Sequence, residues 1–204
     1  LTTSSCRDRA GAQDDLTIGH RALPLELEHQ KPIPRRIVDA EIPLCATLTP
    51  LFGWSLWQGR SEEYPVTVLA ALEAVQAAAA QSAAAAEQLD LALRRAFFVN
   101  SRCISMRHEI LAAARTCDAV DADKIAAAMD AGTYRPAVSA QFARARAERI
   151  PCSGTIIRAD GTMACNPATE TRWLGGDFPR GTPTVVADDP AIFDRIVAET
   201  LTPT

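Results

Sequence analysis

At Tyr64-Pro65 the character of the chain changes abruptly, and this break limits what it can fold into more than any other feature. Beyond it, a stretch rich in Ala, Leu, Glu and Gln runs to Arg95, with Leu69, Leu72, Val75, Ala79, Ala86, Leu89, Leu93 and Phe97 at helical spacing. The pattern predicts two helices with a break near Gln81-Ser82. The alanine run at 74–86 reads as a closely packed helix, because small side chains allow close approach and apolar residues continue the stripe on both sides. In "ISMRHEILAAARTC", Ser105 is expected to cap a helix by accepting an early backbone N–H. In "DADKIAAAMDAG", Asp121 is the cap and Gly132 the stop, and a further helix from about Arg135 to Arg149 ends before Pro151. Residues 65–149 therefore read as a block of four or five helices.

The flanks read differently. "DDLTIGHRALPLEL" (14–27) alternates apolar and polar residues as a half-buried strand does, which places a strand near 16–23 before Pro24 disturbs it. Between Gln30 and Gly59, four prolines and two glycines break the chain into an irregular connection with one short helix near 35–48. Trp54 and Trp57 in this segment read as packing aromatics. After the block, "GTIIRADGTMACNP" reads as two short strands joined by a turn at Ala159-Asp160-Gly161, since Asp-Gly readily takes the positive φ of a tight hairpin. "ADDPAIFDRIVAETL" closes the chain as a helix with Asp188 or Asp189 as cap, Pro190 at its first position, and Ile192, Phe193, Ile196, Val197 and Leu201 on its buried face.

Several classes of function fall away. The formal net charge of -4, with Arg and Glu interspersed, offers no coherent basic patch for nucleic acid. No apolar run approaches the roughly 20 residues needed to cross a bilayer, and "LTTSSCRDRAG" has neither half of a secretory signal, so the expectation is a soluble, cytoplasmic protein without a membrane partner. His20, His29 and His108 are scattered and His108-Glu109 lacks a second histidine, so no metal site is expected, and no cofactor. The six cysteines, at 6, 45, 103, 117, 152 and 165, are irregularly spaced and form no C-x-x-C. Most are expected to be reduced and buried.

A strand, a helical block, a hairpin and a closing helix follow one another, and four segments carry a resemblance: "HRALPLELEHQKPIPRRIVDAEIP" (20–43), "LDLALRRAFFVNSRCIS" (89–105), "SGTIIRADGTMACNPA" (153–168) and "DDPAIFDRIV" (188–197). Together they make the chain resemble the DsbA-like and FrnE-like dithiol–disulfide oxidoreductases. The resemblance implies an α/β, thioredoxin-like fold with a large helical insertion: a discontinuous core of residues 1–60 and 151–204, and an inserted helical subdomain of residues 61–150. It also implies a C-x-x-C at the start of the first helix, where the helix dipole stabilises a thiolate. This chain begins at Leu1 with no such motif, so the first strand and the C-x-x-C are expected to be missing from it, with Cys6 too close to the next strand to replace the nucleophile. The family's second device is a cis-proline on the loop entering the hairpin. Here that place falls at Ser153-Gly154, and a cis bond before a residue other than proline costs about 2.5–4 kcal/mol, so the loop is expected to be trans and reshaped.

What the resemblance implies for function is thiol–disulfide exchange, as oxidoreductase or isomerase, with the activity of this chain weakened by the missing motif. Cys152 is the candidate catalytic residue and the expected most reactive thiol, with no partner cysteine two residues or one strand away, and Ser153, Gly154 and Thr155 are the candidate substrate-binding residues. The implied partner is a thiol- or disulfide-containing protein or a small thiol. The alternative is a non-catalytic thioredoxin-fold protein that binds a polypeptide. Unpaired strand edges beside the missing strand also point to self-association.

Overall fold

The computed structural model describes residues 18–32, 34–176 and 180–201, which group into two compact units, 18–148 and 149–201. The first unit is entirely helical and contains the segment 18–60, which the sequence reading assigned to a core shared with 151–204. It holds α1 (Leu25–His29), α2 (Arg35–Leu48), short 3-10 turns at 50–52 and 61–63, α3 (Leu69–Ala79), α4 (Ala83–Phe98), α5 (Arg107–Ala114), α6 (Ala122–Ala131) and α7 (Arg135–Ala147).

The expected strand near 16–23 is not formed over 18–23; residues 16 and 17 lie outside the described residues. The physical reason lies in where the backbone polar groups go. The Ala22 N–H donates to Gln141 Oε1 at 2.6 Å, the His20 carbonyl accepts from Gln76 Nε2 at 3.2 Å, and Gln141 Nε2 donates to Gln76 Oε1 at 2.7 Å. Side-chain amides from α3 and α7 thus satisfy groups that a strand would have offered to a ladder. Pro24 then leads into α1.

The helical block follows the sequence closely. Ser82 separates α3 from α4 and caps α4 by accepting the Ala85 N–H at 3.0 Å. Asp121 caps α6 by accepting the N–H groups of Asp123 and Lys124, and Gly132 ends the helix at φ +63°, where only glycine escapes a Cβ penalty. Ser105 departs from its expected role. Helix α5 starts two residues later, after Met106, and the Ser105 hydroxyl instead donates to the Thr67 carbonyl and accepts the Thr67 N–H at 3.3 Å. Helix α3 has no side-chain cap at Val68; a carboxylate from a distant helix serves it. Buried Glu26 accepts the Thr67 hydroxyl at 2.8 Å and the Val68 N–H at 2.7 Å, setting negative charge at the positive end of α3.

The core of this unit is built from small and branched residues of α3 to α6. Ala74, Ala78, Ala85, Ala114, Leu89, Ile110 and Ile125 are sealed from solvent, and the alanines let the helix backbones approach closely around the three larger side chains. In the segment after α2, the ring pairs Phe52–Trp54, Trp54–Phe98, Trp57–Phe97 and Trp57–Tyr64 lie with centroids 4.4 to 5.6 Å apart, so both tryptophans pack on rings at the end of α4 as expected.

The second unit contains β1 (Thr155–Ile157), β2 (Met163–Cys165), β3 (Thr169–Leu174), β4 (Thr182–Asp188) and α8 (Ile192–Leu201). Its strands form two separate antiparallel pairs, β1 with β2 and β3 with β4. The protein is therefore a mixed α/β chain, mostly helical, and its described strands do not assemble into a thioredoxin-type sheet. The β1–β2 hairpin stands where Asp160-Gly161 placed it: Gly161 takes φ +86°, its N–H donates to the Arg158 carbonyl at 3.0 Å, and the Asp160 carboxylate accepts the Thr162 N–H at 2.8 Å. Helix α8 starts at Ile192, two residues after the Pro190 expected at its first position; in it Phe193, Ile196 and Val197 are buried, and Asp189 pairs with Arg195 of its first turn.

Candidate functional site

Chemistry in the second unit centres on the mouth of the β1–β2 hairpin. The ladder pairs Thr155 with Cys165, Ile156 with Ala164 and Ile157 with Met163. Cys152 lies three residues before β1, and the chain there curls so that Cys152 and Cys165 form a disulfide with their Cα atoms 6.1 Å apart. The bridge closes the hairpin at its open end.

This corrects the sequence reading of Cys152. The residue has a partner one strand away, and in the bridged protein it carries no thiol to react. The pairing was within reach of the sequence: folding residues 155–165 about Asp160 sets Thr155 opposite Cys165, which leaves Cys152 on the adjoining turn. What hid it was the count of residues along the chain, since a separation of 13 does not look like a redox pair until the turn is folded.

The three residues named beside Cys152 are placed unequally around the bridge. Thr155 is half-buried, its hydroxyl donates to the Cys152 carbonyl at 2.8 Å, and the same oxygen lies 3.6 Å from Cys152 Sγ. Ser153 and Gly154 are exposed on the turn. The Gly154 carbonyl accepts the Asn166 N–H at 3.1 Å, and a Cβ added at Gly154 would stand 1.9 Å from Asn166 Oδ1. Asn166, at φ +42°, fills the space beside the glycine and was not singled out by the sequence. The signal for it was present in the pattern, because Asn tolerates the left-handed region better than most residues and here follows a strand directly.

The other described cysteines stand apart from this bridge chemistry. Burial pushes the Cys45 thiol up, with the Glu41 carboxylate adding to it, and burial does the same to Cys117, whose sulfur also donates to the Ala113 carbonyl at 3.4 Å. Both are held as neutral thiols at neutral pH, and each is a poor nucleophile. Cys103 is half-buried, and Cys6 lies outside the described residues. An open cleft of about 720 Å³ runs between α4 and α5, with Arg95, Arg102 and Glu109 toward one end and Cys117 toward the other. Arg102 lies 3.6 Å from Glu109, and Arg95 is held 5.7 Å over the Phe52 ring.

Among the described residues no group of three or more His, Cys, Asp or Glu side chains is placed to hold a metal ion, and no helix is long and apolar enough to cross a membrane. No protein-family model matches the chain, and no curated protein matches it.

Proposed function

We propose that the protein carries out thiol–disulfide exchange on a thiol- or disulfide-containing partner, as the DsbA-like and FrnE-like oxidoreductases that it resembles do, with Cys152 and Cys165 as the exchanging couple. The observation that carries this reading is the bridge between those two residues, at the hairpin mouth where the resemblance puts the loop that meets substrate. A disulfide between the half-buried Cys152 and the exposed Cys165 can accept two electrons from a dithiol. One substrate thiolate attacks a bridge sulfur and forms a mixed disulfide; the second substrate thiolate then displaces the protein, leaving a substrate disulfide and two protein thiols. The thioredoxin-like fold with its helical insertion belongs to the same proposal and rests on the four resembling segments.

A second reading, non-catalytic binding of an extended polypeptide, draws on a different observation. Both sheets have only two strands among the described residues, so each strand has one edge unpaired within its sheet, and an added strand would find backbone partners there.

One experiment separates the two. The oxidised protein is incubated with a reduced dithiol peptide, and both partners are followed by thiol counting and mass mapping. Exchange predicts one peptide disulfide formed for each Cys152–Cys165 bridge opened, with none in a Cys152→Ser, Cys165→Ser double variant. A bridge that stays closed in the folded protein while the peptide binds would replace exchange with the binding reading.

A further inference from the structure

The bridge joins two residues of unequal exposure. Cys165 is exposed on β2, whereas Cys152 is half-buried on the turn and lies against the Thr155 hydroxyl. We infer that an incoming thiolate attacks Cys165 Sγ, that Cys152 is the sulfur that leaves, and that the Thr155 hydroxyl is the group that receives the departing Cys152 thiolate. The inference rests on the exchange reading above and gives that exchange a direction.

Access decides the first half, because displacement at a disulfide needs the attacking sulfur to reach the sulfur that it joins. In the step that follows, a bond forms between the partner's sulfur and Cys165 Sγ, the Cys152–Cys165 bond breaks, and its electron pair departs on Cys152 Sγ. The rate of such a step rises as the leaving thiol becomes more acidic, so a donor placed at the leaving sulfur speeds it. Thr155 is placed for this from two directions. It stands directly across the ladder from Cys165, and its hydroxyl oxygen is 3.6 Å from Cys152 Sγ.

A threonine hydroxyl has a single proton to donate. In the bridged protein that proton goes to the Cys152 carbonyl at 2.8 Å. When Cys152 Sγ becomes a thiolate it is the stronger acceptor, and rotation of the O–H turns the proton from the carbonyl to the sulfur without moving the side chain. The reverse step uses the same contact: the Cys152 thiolate, kept beside Cys165, attacks the mixed disulfide and releases the partner's thiolate.

The test uses the full chain with its bridge formed and reduced glutathione as the probe. The reaction is quenched with acid early in the time course, and the mixed disulfide is mapped by mass. Glutathione is expected on Cys165; finding it on Cys152 overturns the assigned direction. Thr155→Val, which keeps the shape and removes the hydroxyl, is expected to slow bridge opening about threefold to tenfold, and Thr155→Ser to restore it. In the reduced protein, the pH profile of Cys152 alkylation is expected to move up in Thr155→Val and return in Thr155→Ser, a readout that a purely structural role would leave still. Opening at the unaltered rate in Thr155→Val, with an unaltered profile, removes Thr155 from the step while leaving exchange itself intact. A bridge that never opens in the folded protein sinks the exchange reading along with this one.

Discussion

The two units of the chain are held together by different means. In residues 18–148 an apolar cluster is sealed from solvent: Ala74, Ala78, Ala85, Ala114, Leu89, Ile110 and Ile125 have essentially no exposed surface, and four helices share the burial. Residues 149–201 bury far less. Among the described residues there, Ala168, Pro183, Phe193, Ile196 and Val197 are the buried apolar ones, and the β1–β2 ladder spans only three residue pairs. A two-stranded hairpin is marginal in water by itself. What the larger unit obtains from packing, the smaller one obtains in part from a covalent cross-link that removes conformations from its unfolded chain. A stabiliser of that kind is also removable, which an alanine-lined core is not.

The contrast can be broken first in the larger unit. Leu89→Ala is expected to destabilise the helices by about 2–5 kcal/mol, because the cavity cannot collapse between helices already in close approach. Chemical denaturation followed by helical circular dichroism checks this, and the rate at which glutathione opens the bridge should not change. Reducing the bridge, or replacing Cys165 with Ser, comes next. It is expected to cost the hairpin about 2–4 kcal/mol, in line with closing a loop of this size. Hydrogen exchange should then rise over 155–165 and stay unchanged in α3 to α6; loosening of both units together would show that the bridge does not act on the smaller unit alone.

Two pH effects sharpen it further, and both lie in the larger unit. Burial, with the Asp39 carboxylate adding to it and Arg35 opposing it, pushes the Tyr64 phenol up to about 12. Because the folded value lies above the ordinary one, this group favours the fold fully below about pH 10, and the contribution is lost as pH rises toward 12. Absorbance at 295 nm should show a phenol ionising late, and Tyr64→Phe should remove that phase. The smallest effect belongs to Asp121, whose carboxyl is held below its usual value by the Lys124 N–H and the Lys124 side chain. A depressed carboxylate stabilises the fold above its ordinary pKa, near 4, and loses that contribution as pH falls through the folded value. Asp121→Asn, which keeps a capping oxygen, should flatten the melting temperature of the helices between pH 5 and pH 2 relative to the unaltered chain.

Legibility in the sequence follows the same division. The break at Ser82, the cap at Asp121, the stop at Gly132 and the turn at Asp160-Gly161 were all readable, because each is fixed by the chemistry of one or two neighbouring residues. The segment 18–23 was misread because its alternation is a local signal, and the outcome was set by Gln76 and Gln141 far along the chain. Ser105 failed for a similar reason, since Thr67 offered it a better partner than the helix did. The β3–β4 pair went unseen: residues 169–174 mix charged and polar residues with a single half-buried Trp173, and only pairing with 182–188 makes a strand of them. At the candidate site, Cys152 and Thr155 were named from the sequence, while Cys165 and Asn166 needed the hairpin folded before their places were visible.

Asn166 also ties two positions into a single unit of inheritance. Its side chain occupies the volume into which any Cβ at residue 154 would project, at 1.9 Å from Oδ1. Alanine at 154 therefore turns the tip of the Asn166 side chain aside, and a shorter residue at 166 leaves room for it. In a library randomised at both places, side chains at 154 should be enriched beside residues smaller than asparagine at 166. A substitution arriving alone at either position meets the residue chosen for the other.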